Sequence, residues 1–168
     1  MLDGFIINVN DRKRGLLVAQ EPMQDLYDTV RGVFSTKPPI NLPRIMGAKI
    51  PGPVVDVPPC TFAVSEDKYK ELEKFQLVGL CGTEAIVCSY SYRLIGFRGC
   101  IGPIDKTRSH RVRDSIIPEK IGLFFDWKTW DGADCFVPEN SAYQIVTKRA
   151  VKAFEEVFPS WFAFTPLK

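Results

Sequence analysis

Prolines crowd one internal stretch of this chain and limit what that stretch can form. More than half of the thirteen prolines lie between residues 36 and 59. Because proline has no backbone N–H and fixes φ, it interrupts helices and is excluded from central strands. We therefore predict an extended arm over 36–59. The 35 residues before it are too few for an independent core, so the arm is interpreted as an internal part of one domain, 1–168.

The composition excludes several classes of protein. Hydrophobic residues make up 45% of the chain and charged residues 25%, which is typical of a folded domain rather than of disorder. The net charge of +2 is too small to indicate nucleic acid or an anionic membrane as a partner. No apolar run approaches the roughly 20 residues of a membrane span, and the first residues lack a signal-peptide pattern. We expect a cytoplasmic protein without membrane contact.

Five cysteines and a single histidine offer little for catalysis or metal binding. The odd number of cysteines excludes a fully paired disulfide framework, and none forms a Cys-x-x-Cys pair. The segment 99–102 is too short for a phosphate-binding loop. We predict reduced thiols, no metal, no cofactor and no enzymatic activity. A thiol enzyme built on Cys81 or Cys100 is the least favoured alternative.

Apolar periodicity predicts an α+β fold. Strand patterns cover 4–9 and 15–19, joined by a polar hairpin turn. An apolar stripe with Pro22 at its first position predicts a helix that continues to Phe34. Further strands, rich in β-branched and aromatic residues, are predicted at 84–90, 92–97 and 121–125. We expect a single domain with a mostly antiparallel sheet and two or three helices packed on it.

Two segments, 62–75 and 144–157, resemble each other position by position, at a constant offset in the numbering. Each has a short apolar approach, then a hydroxyl residue, Ser65 or Thr147, suited to accept a backbone N–H as a helix N-cap, and then an amphipathic helix. One interpretation is a duplicated strand–helix–strand unit arranged around a pseudo-twofold axis. The other is that any two N-capped amphipathic helices would align this well.

An acidic and aromatic loop is the main candidate for a functional surface. The candidate residues for binding a protein partner are Asp126, Trp127, Trp130, Asp131 and Asp134. Tryptophans serve as anchors in protein interfaces, and carboxylates at the rim steer association. The alternative interpretation places both tryptophans in the core and makes Asp131-Gly132 a simple turn.

The same loop opens a block of three motifs. They are Trp130-Asp131-Gly132-Ala133-Asp134-Cys135-Phe136, Val146-Thr147-Lys148-Arg149 and Phe164-Thr165-Pro166-Leu167. This order of motifs, with an amphipathic helix before the last, resembles the C-terminal block of bacterial polymorphic-toxin immunity proteins over about 40 of the 168 residues. The resemblance implies a non-enzymatic inhibitor that binds a cognate toxin protein in the cytosol of the producing cell.

A basic stretch supports a second hypothesis. Between residues 93 and 120, seven Lys and Arg residues are opposed by three acidic residues. The basic patch consists of Arg108, His110, Arg111 and Arg113. It would suit a nucleic-acid-associated or small regulatory module, with Tyr90, Tyr92 and Phe97 close in sequence to stack on bases. Because no recognised nucleic-acid-binding signature accompanies the patch, nucleic acid is the less favoured partner.

Overall fold

The computed structural model of the chain describes residues 3–10, 16–19, 25–58, 61–109 and 122–167. Within them the backbone forms three α-helices and two mostly antiparallel sheets, which confirms the predicted α+β class. The helices are α1 (Leu26–Val30), α2 (Glu66–Glu73) and α3 (Lys148–Val157). The strands are β1 (Gly4–Val9), β2 (Leu16–Val18), β3 (Ile40–Leu42), β4 (Arg44–Gly47), β5 (Val54–Val57), β6 (Thr61–Ser65), β7 (Leu80–Val87), β8 (Tyr90–Phe97), β9 (Gly99–Ile101), β10 (Cys135–Pro138), β11 (Ile145–Thr147) and β12 (Phe162–Pro166).

The strands divide between a five-stranded sheet, in the order β12-β1-β11-β10-β9, and a seven-stranded sheet, in the order β3-β7-β8-β6-β5-β2-β4. The predicted hairpin between 4–9 and 15–19 is therefore wrong, because β1 and β2 belong to different sheets. Ile6, Ile7 and Val9 of β1 are all buried. A strand with apolar residues on both faces needs cover on both sides. Ile7 and Val9 pack into the main core, and Ile6, on the other face, packs into a second buried cluster.

The proline-rich arm contains β3, β4 and β5. Its prolines lie mainly between these strands rather than inside them, with Pro43 separating β3 from β4 and Pro53 preceding β5. The prediction that this arm contains no central strand is wrong. β5 carries no proline and pairs with β6 on one side and β2 on the other. The prolines set the ends of short strands without removing any hydrogen bond from their middles.

The first helix is shorter than the predicted one. α1 begins after Asp25, whose carboxylate accepts hydrogen bonds from the backbone N–H groups of Tyr27 and Asp28 at 2.8 and 3.3 Å. It ends before Gly32, which has φ of 69°. A Cβ added to Gly96 of β8 would lie 2.4 Å from the Cα of Gly32, so two glycines permit the backbones to cross here. Pro22 and the rest of 20–24 lie outside the described residues.

The predicted strands at 84–90 and 92–97 correspond to β7 and β8, which form an antiparallel hairpin. Its turn places Cys88 and Ser89 at φ values of 48° and 72°. The predicted strand at 121–125 is wrong, since the described part of it forms no strand beyond a single bridge residue at Gly122. Leu123 and Phe125 are nevertheless buried, so the apolar pattern there reflects packing of an irregular segment.

The internal similarity between 62–75 and 144–157 extends to topology and register. In one unit β6 and β7 flank β8, and in the other β11 and β12 flank β1, with antiparallel pairing throughout. Ser65 pairs with Tyr92 where Thr147 pairs with Gly4. After the helices, Thr83 pairs with Leu94 where Thr165 pairs with Ile6. The offset in numbering is thus unchanged on both sides of each helix, which favours the duplicated unit over a chance similarity.

The two units also share their outer strands. β5 pairs antiparallel with β6 and parallel with β2, as β10 pairs antiparallel with β11 and parallel with β9. Five strands therefore match in order and direction between the sheets. One detail differs from expectation: Thr147 accepts the N–H of Ala150 at 3.4 Å, whereas the Ser65 side chain makes no cap bond.

The main core fills the space between the two sheets and helices α2 and α3. Its largest fully buried members are phenylalanines, among them Phe62 of the first unit and Phe154 and Phe158 of the second. The Phe62 and Phe162 ring centroids are 4.7 Å apart, and those of Phe154 and Phe162 are 5.3 Å apart. Aromatic packing across the two units joins them into one body, because truncating such a ring costs about 3–5 kcal/mol.

Candidate functional site

The acidic and aromatic loop folds around a short 3-10 helix, Trp127–Thr129. Asp126 begins this turn, and its carboxylate accepts the N–H of Lys128 at 3.0 Å. Both tryptophans are half-buried and lie edge to face, with ring centroids 6.1 Å apart. Each ring also contacts Phe136, at centroid distances of 6.2 Å for Trp127 and 5.8 Å for Trp130. The tryptophans therefore contribute to a core cluster and keep part of their surface open to solvent.

The loop closes the outer edge of β9. Asp131 accepts the N–H of Cys100 at 2.8 Å through its carboxylate and donates its own N–H to the Cys100 carbonyl at 3.2 Å. The Thr129 hydroxyl accepts the N–H of Gly102 at 2.8 Å. Backbone groups that would otherwise be open for strand pairing are thus satisfied by the loop. Asp131 has a structural role in addition to any part in binding.

Asp134 lies inside the domain, with 8% of its surface exposed. Its carboxylate accepts hydrogen bonds from the N–H of Val78 at 3.0 Å, from the hydroxyl of Thr147 at 2.9 Å and from the guanidinium of Arg149. Arg149 in turn donates to the carbonyl of Phe75, just beyond the end of α2, at 2.6 Å. Asp134 of the first motif and Arg149 of the second therefore form one network, which joins the start of β10, α3 and the end of α2.

The solvent-facing part of the loop consists of Asp126, Lys128, Thr129, Asp131 and Gly132. Gly132 has φ of 87°, and a Cβ added there would meet no atom within 4 Å. The Trp130 indole N–H donates to the Ala133 carbonyl at 3.2 Å, which holds the ring against the loop. The loop is thus a fixed turn with an open tip. The turn that the alternative interpretation placed at Asp131-Gly132 forms part of this loop.

A cleft of about 620 Å³ opens beside this loop. Phe125 and Trp127 supply apolar lining, and Asp126 and Lys128 line the cleft with them. The segment 102–105 and Arg108 complete the lining. The cleft combines apolar walls with charges of both signs, so it suits an apolar side chain surrounded by polar groups of a partner. Sequence reasoning missed Phe125 and the segment 102–105, because only the fold brings them to the loop.

The predicted basic patch is described in part. The Arg108 guanidinium lies 4.9 Å from the Phe124 ring centroid, whereas His110, Arg111 and Arg113 lie outside the described residues. Arg93, at the start of the basic stretch, makes a bidentate ion pair with Glu66 at 2.6 and 3.1 Å. That pairing raises the pKa of Arg93 and lowers the pKa of Glu66. Arg93 is therefore engaged within the domain.

Of the three aromatic rings expected to stack on bases, one is accessible to solvent. Phe97 is fully buried, and Tyr92 is 4% exposed, with its hydroxyl donating to the Gly52 carbonyl at 2.5 Å. Burial is the main cause that raises the pKa of Tyr92 to about 12. Tyr90, at the hairpin turn, is 52% exposed. The suggestion that all three rings are available is wrong, because packing of β8 within the domain covers Tyr92 and Phe97.

The described cysteines are free thiols. Burial is the main cause that raises the pKa of Cys81 and Cys135, and the pKa of Cys100 is raised by burial and by the neighbouring Asp131. A cysteine nucleophile requires the opposite shift. Among the residues that the structure describes, no cluster of three or more Cys, His, Asp or Glu side chains is arranged to hold a metal ion.

No protein-family model matches the chain, and no curated protein matches its sequence. Each helix in the described part of the chain is too short or too polar to cross a lipid bilayer. Evidence on function therefore comes from the residues and geometry of the chain itself.

Proposed function

We propose that this protein is a cytoplasmic immunity protein, which neutralises a cognate bacterial toxin by binding it directly and without catalysis. The observation that carries the proposal is the loop at 126–132, where two half-buried tryptophans stand beside exposed charges and an apolar cleft. The resemblance of the C-terminal motifs to those of immunity proteins names the class of partner. The loop and the cleft together form the proposed toxin-binding surface.

Rigidity of the loop supports this assignment. Its carboxylates at Asp126 and Asp131 and its hydroxyl at Thr129 all accept backbone N–H groups, at distances between 2.8 and 3.0 Å. Binding to a surface that is already ordered avoids part of the conformational entropy cost of association, about 0.5–1.5 kcal/mol for each side chain that would otherwise be immobilised. A fixed loop is what a tight inhibitor requires.

The chemistry of the surface suggests the complementary surface of the toxin. The walls formed by Phe125 and Trp127 accept an apolar or aromatic side chain, which would be the anchor of the interface. Asp126 and Asp131 are exposed at the outer side of the loop and favour a basic surface opposite them. A toxin that acts on nucleic acid has a basic active cleft, so this acidic loop would suit such a toxin.

The test uses the toxin domain encoded next to this gene, because immunity and toxin genes are adjacent in such systems. Gly132→Asn adds a side chain at the open tip, and Asn tolerates the left-handed conformation. We expect this variant to weaken toxin binding by about tenfold or more through steric exclusion. Ser160→Asn, another exposed left-handed position at φ of 64°, is the matched control. Calorimetry measures the affinity, and thermal unfolding verifies the fold.

A charge variant gives an independent readout. Lys128→Glu changes an exposed residue beside the cleft, whereas Lys152→Glu makes the same change on the exposed face of α3. The first change should alter toxin affinity by about tenfold, and the second should leave it within about twofold. If the adjacent toxin binds the wild-type protein but ignores both Gly132→Asn and Lys128→Glu, the interface lies elsewhere. If it does not bind the wild-type protein at all, the immunity assignment is refuted.

A further inference from the structure

A second surface lies at the edge of the seven-stranded sheet. β4 is the last strand of that sheet and pairs only with β2 among the described strands. All four of its residues are exposed. An edge strand presents backbone N–H and C=O groups that can pair with another chain, and a covered or shortened edge is the usual protection. In the described part of the chain, no loop covers this edge in the way that the 126–132 loop covers β9.

The side chains along this edge are apolar. Ile45 is 54% exposed, Met46 is 62% exposed, and Ile50, three residues beyond the strand, is 73% exposed. The register of β4 against β2 shifts between Met46 and Arg44, so Ile45 is an extra, unpaired residue and its side chain, like that of Met46, is open to solvent. Exposed apolar residues gathered on one segment mark interaction surfaces more often than scattered ones do.

The charges decide which kind of chain fits. Arg44 and Lys49 are exposed, and no acidic residue occurs between residues 29 and 55. Asp56 of β5 aligns with Leu17 of β2 and lies two strands from β4, roughly 10 Å away by strand spacing. The edge is therefore locally positive. Like charges oppose the pairing of β4 with a second copy of β4, whereas an acidic strand would be attracted.

We propose that β4 is a docking edge for an extended, acidic and apolar segment of a partner protein, which adds to the seven-stranded sheet as a further strand. Backbone hydrogen bonds would hold the added strand against β4, and side-chain contacts would supply selectivity. Apolar residues of the partner cover Ile45 and Met46, and its carboxylates face Arg44 and Lys49. This surface is separate from the toxin-binding loop and does not depend on the immunity function.

The probe is a fluorescein-labelled, N-acetylated peptide of alternating valine and glutamate, compared with a peptide that has lysine in place of glutamate. Fluorescence anisotropy should show that the glutamate peptide binds at least about tenfold more tightly. Its binding should weaken as salt increases. Hydrogen exchange should show protection of the amides of β4 when the glutamate peptide is added.

Ile45→Glu places a carboxylate on the edge and should weaken the binding of the glutamate peptide by about tenfold. The matched control is Val33→Glu, since Val33 is also 53% exposed but belongs to no strand. Equal binding of both peptides, or equal loss in both variants, would overturn the proposal. Sedimentation velocity tests whether a second copy of this chain occupies the edge instead. A dimer of the wild-type protein that Ile45→Glu dissociates would assign the edge to a second copy and would also overturn the proposal.

Discussion

Asp134 provides the sharpest test of how this fold is held together. Replacing it with alanine removes three hydrogen bonds at once, from Val78, Thr147 and Arg149. A hydrogen bond to a buried charged group contributes about 1.5 kcal/mol at the lower end of the measured range. The ion pair with Arg149 contributes less, about 0.5 kcal/mol, because the Arg149 side chain is 55% exposed and water replaces its partner. The expected loss of unfolding free energy for Asp134→Ala is therefore about 3.5 kcal/mol.

Urea denaturation measures this loss directly, provided that the slope with denaturant is unchanged. For a domain of this size, about 3.5 kcal/mol corresponds to a fall in Tm of roughly 7–14 °C. Arg149→Ala should cost about 1 kcal/mol, since it removes both the ion pair with Asp134 and the hydrogen bond to the Phe75 carbonyl. The double variant should lose less stability than the sum of the two single losses, because both single changes remove the same ion pair.

A loss smaller than about 1 kcal/mol for Asp134→Ala would refute the reasoning, since it would mean that solvent or a rearranged side chain satisfies Val78 and Thr147. Asp134→Asn is the conservative comparison. It keeps one oxygen as acceptor and should retain about half of the lost stability. A toxin-binding defect in a fully stable Asp134→Ala protein would instead restore this residue to the interface.

Three further outcomes are expected. Ser89→Gly should raise stability by about 1 kcal/mol, because Ser89 has φ of 72° and glycine adopts that conformation without strain; chemical denaturation measures it. Gly79→Ala should lower stability markedly in the same assay, since its Cβ would lie 2.2 Å from the Cys135 carbonyl oxygen. Arg93 lowers the pKa of Glu66 below 4.5, so their pair stabilises the fold above that pH and is lost as pH falls further. Wild type should therefore lose more stability than Glu66→Gln between about pH 6 and about pH 3, and equal losses would contradict the pairing.

Local patterns predicted the parts of this fold that local interactions determine. The hydroxyl of Thr147 before an amphipathic segment indicated the start of α3, and the structure places the cap there. The alignment of 62–75 with 144–157 offered a duplicated unit as one of two interpretations, since side-chain periodicity and the position of the hydroxyl residue repeat together. The α+β class followed from the same periodicities. Each of these inferences needed only patterns within a short window of sequence.

Distant contacts account for the errors. The sequence suggested that Asp134 is a loop carboxylate beside two tryptophans. In the structure it accepts the N–H of Val78, which is 56 residues away in the chain. The hairpin expected near the start failed because β1 finds its partners, β11 and β12, close to the other end of the sequence. The cleft beside Trp127 depends on the segment 102–105, which carries no distinctive motif. A single sequence does not indicate which strands become neighbours. Only those residues of the site that belong to one loop were therefore predicted.

The place of β1 in the second unit has a consequence for folding during synthesis. Every strand of the first unit lies within residues 16–97, so that unit can assemble while the rest of the chain is still being made. β1 leaves the ribosome earlier, yet its partners β11 and β12 are translated after every strand of the first unit. Its apolar residues, among them Ile6, Ile7 and Val9, therefore wait without a sheet until those partners are made. Closing so long a loop is slow, and a waiting apolar strand is the natural target of a chaperone.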